Sequence, residues 1–386
     1  MASVSWPQGF SIHTGHAGLQ DDDRDEVAIL VSTVPATCAA VFTQSRFAGP
    51  SIELGRESAR GRNARGVVVL ARNANVATGA AGAADAAEIR DRVASIVGIP
   101  VQELLIASTG VIGRRYPMAA LRTYLDGVRW PFAGSDFAAA ARTIMTTDTC
   151  PKLHTARVGQ ARIVGIAKGV GMIEPDMATM LAFLCTDAAI GPDQLDLTFR
   201  RVVDRTFNSV SIDTDTSTSD TAAIFANGLA GSVDAAEFEE ALSQVCLALV
   251  RDIASDGEGA GRLIVVDVSG ARDDAQARRV GKSIVSSPLV KTMVHGSDPN
   301  WGRVTMAIGK CQDDLDIEPD RVRIAFGGIE VYPGEPDDAA MAAVVSHLRS
   351  DEVNIGVDLG IVQGAWTVYG CDLTEDYVRL NSSYTT

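Results

Sequence analysis

Residues 168 to 183 read Lys168-Gly-Val-Gly-Met-Ile-Glu-Pro-Asp-Met-Ala-Thr-Met-Leu-Ala-Phe183. Two glycines and a proline break the first half into a loop. The apolar run that follows has the character of a buried strand. Thr179 stands at the junction, directly after the small residue Ala178. β-Branching suits a threonine to an early strand position, and that alone would account for it. A second account is chemical. A hydroxyl is a weak nucleophile until a base takes its proton, and an N-terminal α-amine can be that base. Its ordinary pKa of about 7.7–8.0 leaves a useful neutral fraction near physiological pH. An internal threonine has only an amide nitrogen. Cleavage of the Ala178–Thr179 bond would therefore create the catalyst and leave two chains, 1–178 and 179–386.

Outward from this junction, short strands and helices alternate irregularly. On the N-terminal side the patterns predict strands over 26–32, 65–71 and 104–108. They predict helices over 80–97, 117–128 and 136–145, and a hairpin over 155–166. On the C-terminal side they predict helices over 192–207, 235–254 and 337–349. Strands are expected over 221–225, 263–268, 303–308, 321–326, 329–332, 352–359 and 365–371. Such an order does not suit a single parallel βαβ array. It fits layered α+β architecture with mixed or antiparallel sheets.

The chain has 386 residues, enough for one large domain or two ordinary ones. Its formal net charge of −15 argues against a nucleic-acid partner, because phosphate binding needs clustered Lys and Arg. No apolar run approaches the roughly 20 residues that cross a bilayer. The first ten residues lack the basic start and apolar centre of a signal peptide. Six scattered cysteines without a Cys-x-x-Cys pair read as reduced thiols. Together these point to a cytoplasmic protein.

Several motifs fail on inspection. Gly281-Lys282-Ser283 resembles the end of a phosphate-binding loop, but Gln276 stands where the earlier glycine should be. The Gly-rich run 257–261 has Arg262 in place of the last glycine of a dinucleotide fingerprint. Asp213, Asp215, Ser217 and Asp220 resemble a calcium loop that lacks its central Gly and terminal Glu. A non-catalytic metal- or ligand-binding module is the rival reading built on that run. The five histidines have no zinc-ligand spacing, so no metal is expected.

The motif Lys-Gly-x-Gly-Met-Ile-x-Pro-x-Met-Ala-Thr-Met at 168–180 does not stand alone. With it come Ala107-Ser-Thr-Gly-Val-Ile-Gly113, Met145-Thr-Thr-Asp-Thr149, Ser255-Asp-Gly-Glu-Gly259, Asp298-Pro-Asn-Trp-Gly-Arg303 and Asn381-Ser-Ser-Tyr-Thr-Thr386. Along nearly its whole length the chain resembles the ornithine acetyltransferase, or glutamate N-acetyltransferase, family. The resemblance implies an N-terminal-nucleophile-like αββα sandwich, self-cleavage before Thr179, an α2β2 assembly of the two fragments and a cofactor-free reaction. It implies that Thr179 takes the acetyl group of N-acetylornithine and passes it to glutamate. Thr109 and Gly110 would form the oxyanion hole. Lys168, Glu258, Thr146 or Thr147, Asn381 and Thr386 would bind the substrates. The chain departs from the mainstream pattern at Glu174 and Asp176, where the family has His and Asn, and over 70–76. These departures resemble the form of the clavulanic acid antibiotic pathway, so a specialised acyl substrate is one alternative. An amidase or aminopeptidase of related fold, with water as acceptor, is another.

Overall fold

The computed structural model describes residues 6–19, 22–174 and 180–383. Strand periodicity organises the larger lobe. In Gly66–Leu70, Val67 and Val69 face one core while Val68 and Leu70 face another. In Leu181–Ala189, Leu181, Phe183 and Cys185 point one way, and Ala182 and Leu184 the other. Each strand is apolar on both faces, so each sheet must be covered twice.

The first sheet runs Phe10–Gly15, Val27–Ser32, Gly66–Leu70, Leu104–Ser108. The second runs Thr37–Phe42, Thr221–Ser232, Leu181–Ala189, Ala161–Lys168, Lys152–Val158. Their inner faces share one core, in which Leu30, Val67, Val69 and Leu105 meet Val164, Ile166, Phe183 and Phe225. Helices Gly79–Val97 and Met118–Gly127 cover the outside of the first sheet. Helices Pro192–Arg205 and Ala235–Ser255 cover the outside of the second. The order of layers is helix, sheet, sheet, helix: an αββα sandwich within an α+β fold.

A smaller lobe follows. Its six-stranded mixed sheet runs Ile329–Tyr332, Arg323–Phe326, Glu352–Asp358, Leu263–Ala271, Gly364–Cys371, Val210–Ser211. Helices Asp274–Val285, Pro288–Gly296, Trp301–Ile308 and Asp338–Leu348 pack on it.

One expectation is corrected here. Residues 303–308 were expected as a strand and belong to the helix Trp301–Ile308. The alternation of Val304, Met306 and Ile308 suggests period two. The buried set is Val304, Ala307 and Ile308, at helical spacing, while Met306 lies outside. The Gly281-Lys282-Ser283 triplet lies inside the helix Asp274–Val285. A Cβ on Gly281 would stand 2.7 Å from Val368 Cγ2, so this glycine lets the helix approach the sheet.

Candidate active site

Strands Gly66–Leu70 and Leu104–Ser108 run parallel and end together, with Leu70 opposite Ser108. Past that edge the Thr109 N–H donates to Leu70 O (3.0 Å) and the Val111 N–H to Arg72 O (3.2 Å). Between them Gly110 adopts φ 125°. A Cβ there would lie 2.1 Å from the carbonyl carbon of Arg72, so a side chain is excluded on two grounds. Among the described residues neither the Gly110 N–H nor the Thr109 hydroxyl has a hydrogen-bond partner.

These two residues line a cavity of about 410 Å³. Thr146, Thr147, Lys168, Glu258 and Asn381 line it too. All seven site residues of the sequence reading that fall within the described residues thus share one cavity. Ala178, Thr179 and Thr386 lie outside the described residues. Leu181 is opposite Lys168 in the antiparallel register, so the strand Leu181–Ala189 begins beside the cavity.

The cavity carries opposite charges on separate segments. The Glu258 carboxylate accepts hydrogen bonds from Thr147 Oγ1 (2.9 Å) and Asn381 Nδ2 (2.9 Å). The Glu258 N–H donates to Val170 O (2.8 Å). The Lys168 ammonium donates to Thr146 Oγ1 at 3.5 Å. Burial draws the Lys168 pKa below the ordinary lysine value, against the charges of Asp148, Asp220 and Glu258, which raise it. Gly171 is fitted to this arrangement, since a Cβ on it would lie 2.6 Å from the Glu258 carboxyl carbon.

Among the lining residues that sequence reasoning did not assign to the site, Asp213 and Tyr377 carry titratable groups with shifted pKa values. Asp213 was weighed only as a calcium ligand. Its carboxylate accepts the N–H groups of Met172 (2.6 Å) and Ile173 (2.8 Å). Burial raises its pKa against those two bonds. It anchors the loop that precedes the Thr179 junction, and among the described residues no acidic cluster could hold a metal. Tyr377 comes from the helix Glu375–Ser383, which also delivers Asn381. Burial, with Asp213 and Glu258 nearby, pushes its phenol up to about 12, so it stays a neutral hydroxyl. The polar run 211–220 and the spacing of Tyr377 to Asn381 were the available signals.

Of the departures from the family pattern, Ala74, within 70–76, lines the cavity, and Glu174 does not. Glu174 lines a separate groove, where it pairs with Lys282 Nζ (3.1 Å) and accepts from Ser286 Oγ (3.5 Å). The Arg72 guanidinium pairs with Asp22 (2.6 Å), while its backbone supports Gly110. Asp176 lies outside the described residues.

An αββα sandwich whose polar cavity is lined by Thr109, Gly110, Lys168 and Glu258 suits an enzyme of acyl chemistry on amino acids. The ArgJ family model matches residues 11–386, and the chain belongs to that family. It is 65% identical over 385 residues to the glutamate N-acetyltransferase Oat2 of Streptomyces clavuligerus, covering 98% of both chains. It is 58% identical to the arginine biosynthesis bifunctional protein ArgJ of Rhodococcoides fascians, covering 100% of this chain and 96% of that one. Among solved structures, ArgJ of Bacillus halodurans is 39% identical, with a TM-score of 0.49, over 51% of this chain and 96% of that chain. Among the described residues no helix is long and apolar enough to cross a membrane.

Proposed function

We propose that this protein is an ornithine acetyltransferase that moves an acetyl group from N-acetylornithine to glutamate, after cutting its own Ala178–Thr179 bond. Fragments 1–178 and 179–386 then stay together, as α2β2. The Thr179 α-amine takes the hydroxyl proton as Oγ attacks the acetyl carbonyl. Thr109 Oγ1–H and Gly110 N–H receive the negative charge that develops on the carbonyl oxygen. Each such donor contributes about 3–4 kcal/mol in comparable sites. The C–N bond breaks, the leaving amine takes the proton, and ornithine departs. The glutamate amine then attacks the acetyl ester and regenerates the hydroxyl. No cofactor takes part.

Lys168 holds a substrate carboxylate, and Glu258 holds an ammonium group. Charge-assisted bonds of both signs suit a zwitterion. Thr146, Thr147, Asn381 and Thr386 complete the pocket. The observation that carries this reading is the convergence of seven residues, from five separate segments, on one cavity beside the strand that follows Thr179. Glu174 faces another groove, whereas Ala74, in the departing stretch 70–76, lines the cavity, so a specialised acyl substrate stays as the second reading.

Denaturing gels and intact mass should give two fragments for wild type and one full-length chain for Thr179→Ala. After incubation with N-acetylornithine, the larger-numbered fragment should gain one acetyl group, and glutamate should remove it. Intact wild type that still transfers acetyl would sink the mechanism. Acetyl appearing only on water at saturating glutamate would make the protein an amidase.

A further inference from the structure

Behind the cavity, three of its segments meet at one buried ammonium. Lys152 opens the strand Lys152–Val158, and its side chain is 0% exposed. Its Nζ donates to Asp148 Oδ1 (2.8 Å) and to Asp256 Oδ2 (2.6 Å). The same Asp148 oxygen accepts the Gly169 N–H (2.8 Å), directly after Lys168, and its other oxygen accepts the Thr146 N–H (3.1 Å). Asp256 accepts the Thr149 N–H (3.1 Å) and hydroxyl, and stands two residues before Glu258. None of the three clustered residues lines the cavity.

We propose that Asp148, set in place by Lys152 and Asp256, is the positioning residue for the Lys168 ammonium. This rests on the carboxylate-binding role assigned to Lys168 above. Two carboxylates and one ammonium give the cluster a formal charge of −1, which balances Lys168. Without it Lys168 would be a buried cation whose burial favours the neutral form. Four charged groups act on Lys168 besides that burial. Asp148, Asp220 and Glu258 favour the ammonium, and Lys152 opposes it. Asp148 is the strongest of the three supporting charges. Burial pushes its own pKa up, but Lys152 and Lys168 outweigh that and hold it below the usual carboxylate value. Asp148 therefore stays ionised where Lys168 must stay protonated.

The test is Asp148→Asn in the full, processed protein, assayed for acetyl transfer to glutamate from about pH 6 to 10. The isosteric amide removes the charge and keeps a carbonyl acceptor. Lys168 binds as the ammonium, so activity is present below its pKa and fades above it. Losing Asp148 lowers that pKa, so the alkaline limb should move to lower pH. Above the new midpoint KM for glutamate should rise about tenfold, from a charge-assisted bond of about 1.5 kcal/mol, with kcat less affected. Asp148→Glu, which keeps the charge, should restore the wild-type limb. The 13Cε signal of Lys168, one of five lysines, reports the same midpoint without turnover, assigned with Lys168→Met. A uniform loss at every pH with that midpoint unmoved would make Asp148 a packing residue and overturn the proposal. Should the asparagine variant not fold, Asp148→Ser removes the same charge with a smaller side chain, and an unmoved midpoint there overturns it equally. If instead Lys168→Met binds glutamate like wild type, it is the substrate role of Lys168 that fails.

Discussion

Gly171 shows how closely the cavity is built. Its α-carbon sits against the Glu258 carboxyl group, which Thr147 and Asn381 hold from the other side. Replacing Gly171 with alanine puts a methyl group 2.6 Å from the carboxyl carbon, well inside contact distance. The carboxylate must leave its two donors or the loop must shift. Gly171→Ala should therefore raise KM for the amino-acid substrates about tenfold, matching the loss of one hydrogen bond to a charged group. Turnover at saturation should fall less, and the melting temperature should stay near wild type because the change lies at a cavity wall. Steady-state kinetics beside a thermal melt would check it. An unchanged KM would mean that Glu258 does not grip the substrate.

At the scale of elements, the loop before residue 175 is held from the far side of the chain. Met172 sits at φ 58°, a left-handed conformation that costs a side-chain-bearing residue about 1 kcal/mol or more. Asp213 holds it there by accepting the N–H groups of residues 172 and 173. Asp213→Ala should leave two N–H groups without their acceptor and lower stability by about 2 kcal/mol. Formation of the two fragments should slow. Adding Met172→Gly, which adopts the same φ without strain, should restore part of both losses. Melting curves and a processing time course on the single and double variants would decide it. This clamp also marks where sequence reading reaches its end. The hairpin around 159–160 and the helices 80–97 and 235–254 were legible because periodicity and turn residues agree there. The segments 10–15, 37–42 and 274–285 were not, being short or masked by a motif-like triplet. The candidate site was legible as separate motifs, since five of the six quoted runs contain a residue that lines the cavity, while 298–303 belongs to the smaller lobe. Lys152 and Asp213 were not, because their roles depend on partners 104 and about 40 residues away in the chain.

At the scale of the molecule, a cut before residue 179 would divide the chain without dividing the fold. In the second sheet, Leu181–Ala189 and Thr221–Ser232 lie between Thr37–Phe42 on one side and Ala161–Lys168 on the other. Both edges of the C-terminal pair are thus hydrogen-bonded to strands of the N-terminal part. The inner core is shared in the same way, since Phe183 and Phe225 pack among Leu30, Val67 and Leu105. Separation would expose that core and strip both ladders, a loss far beyond the 5–15 kcal/mol that stabilises a whole domain. Fragments 1–178 and 179–386 should therefore co-elute from a sizing column in native buffer and part only in denaturant. Expressed apart, each should be insoluble, and co-expression should recover the complex. Two soluble, well-folded fragments recovered separately would contradict the interleaved sheet itself, whatever chemistry makes the cut.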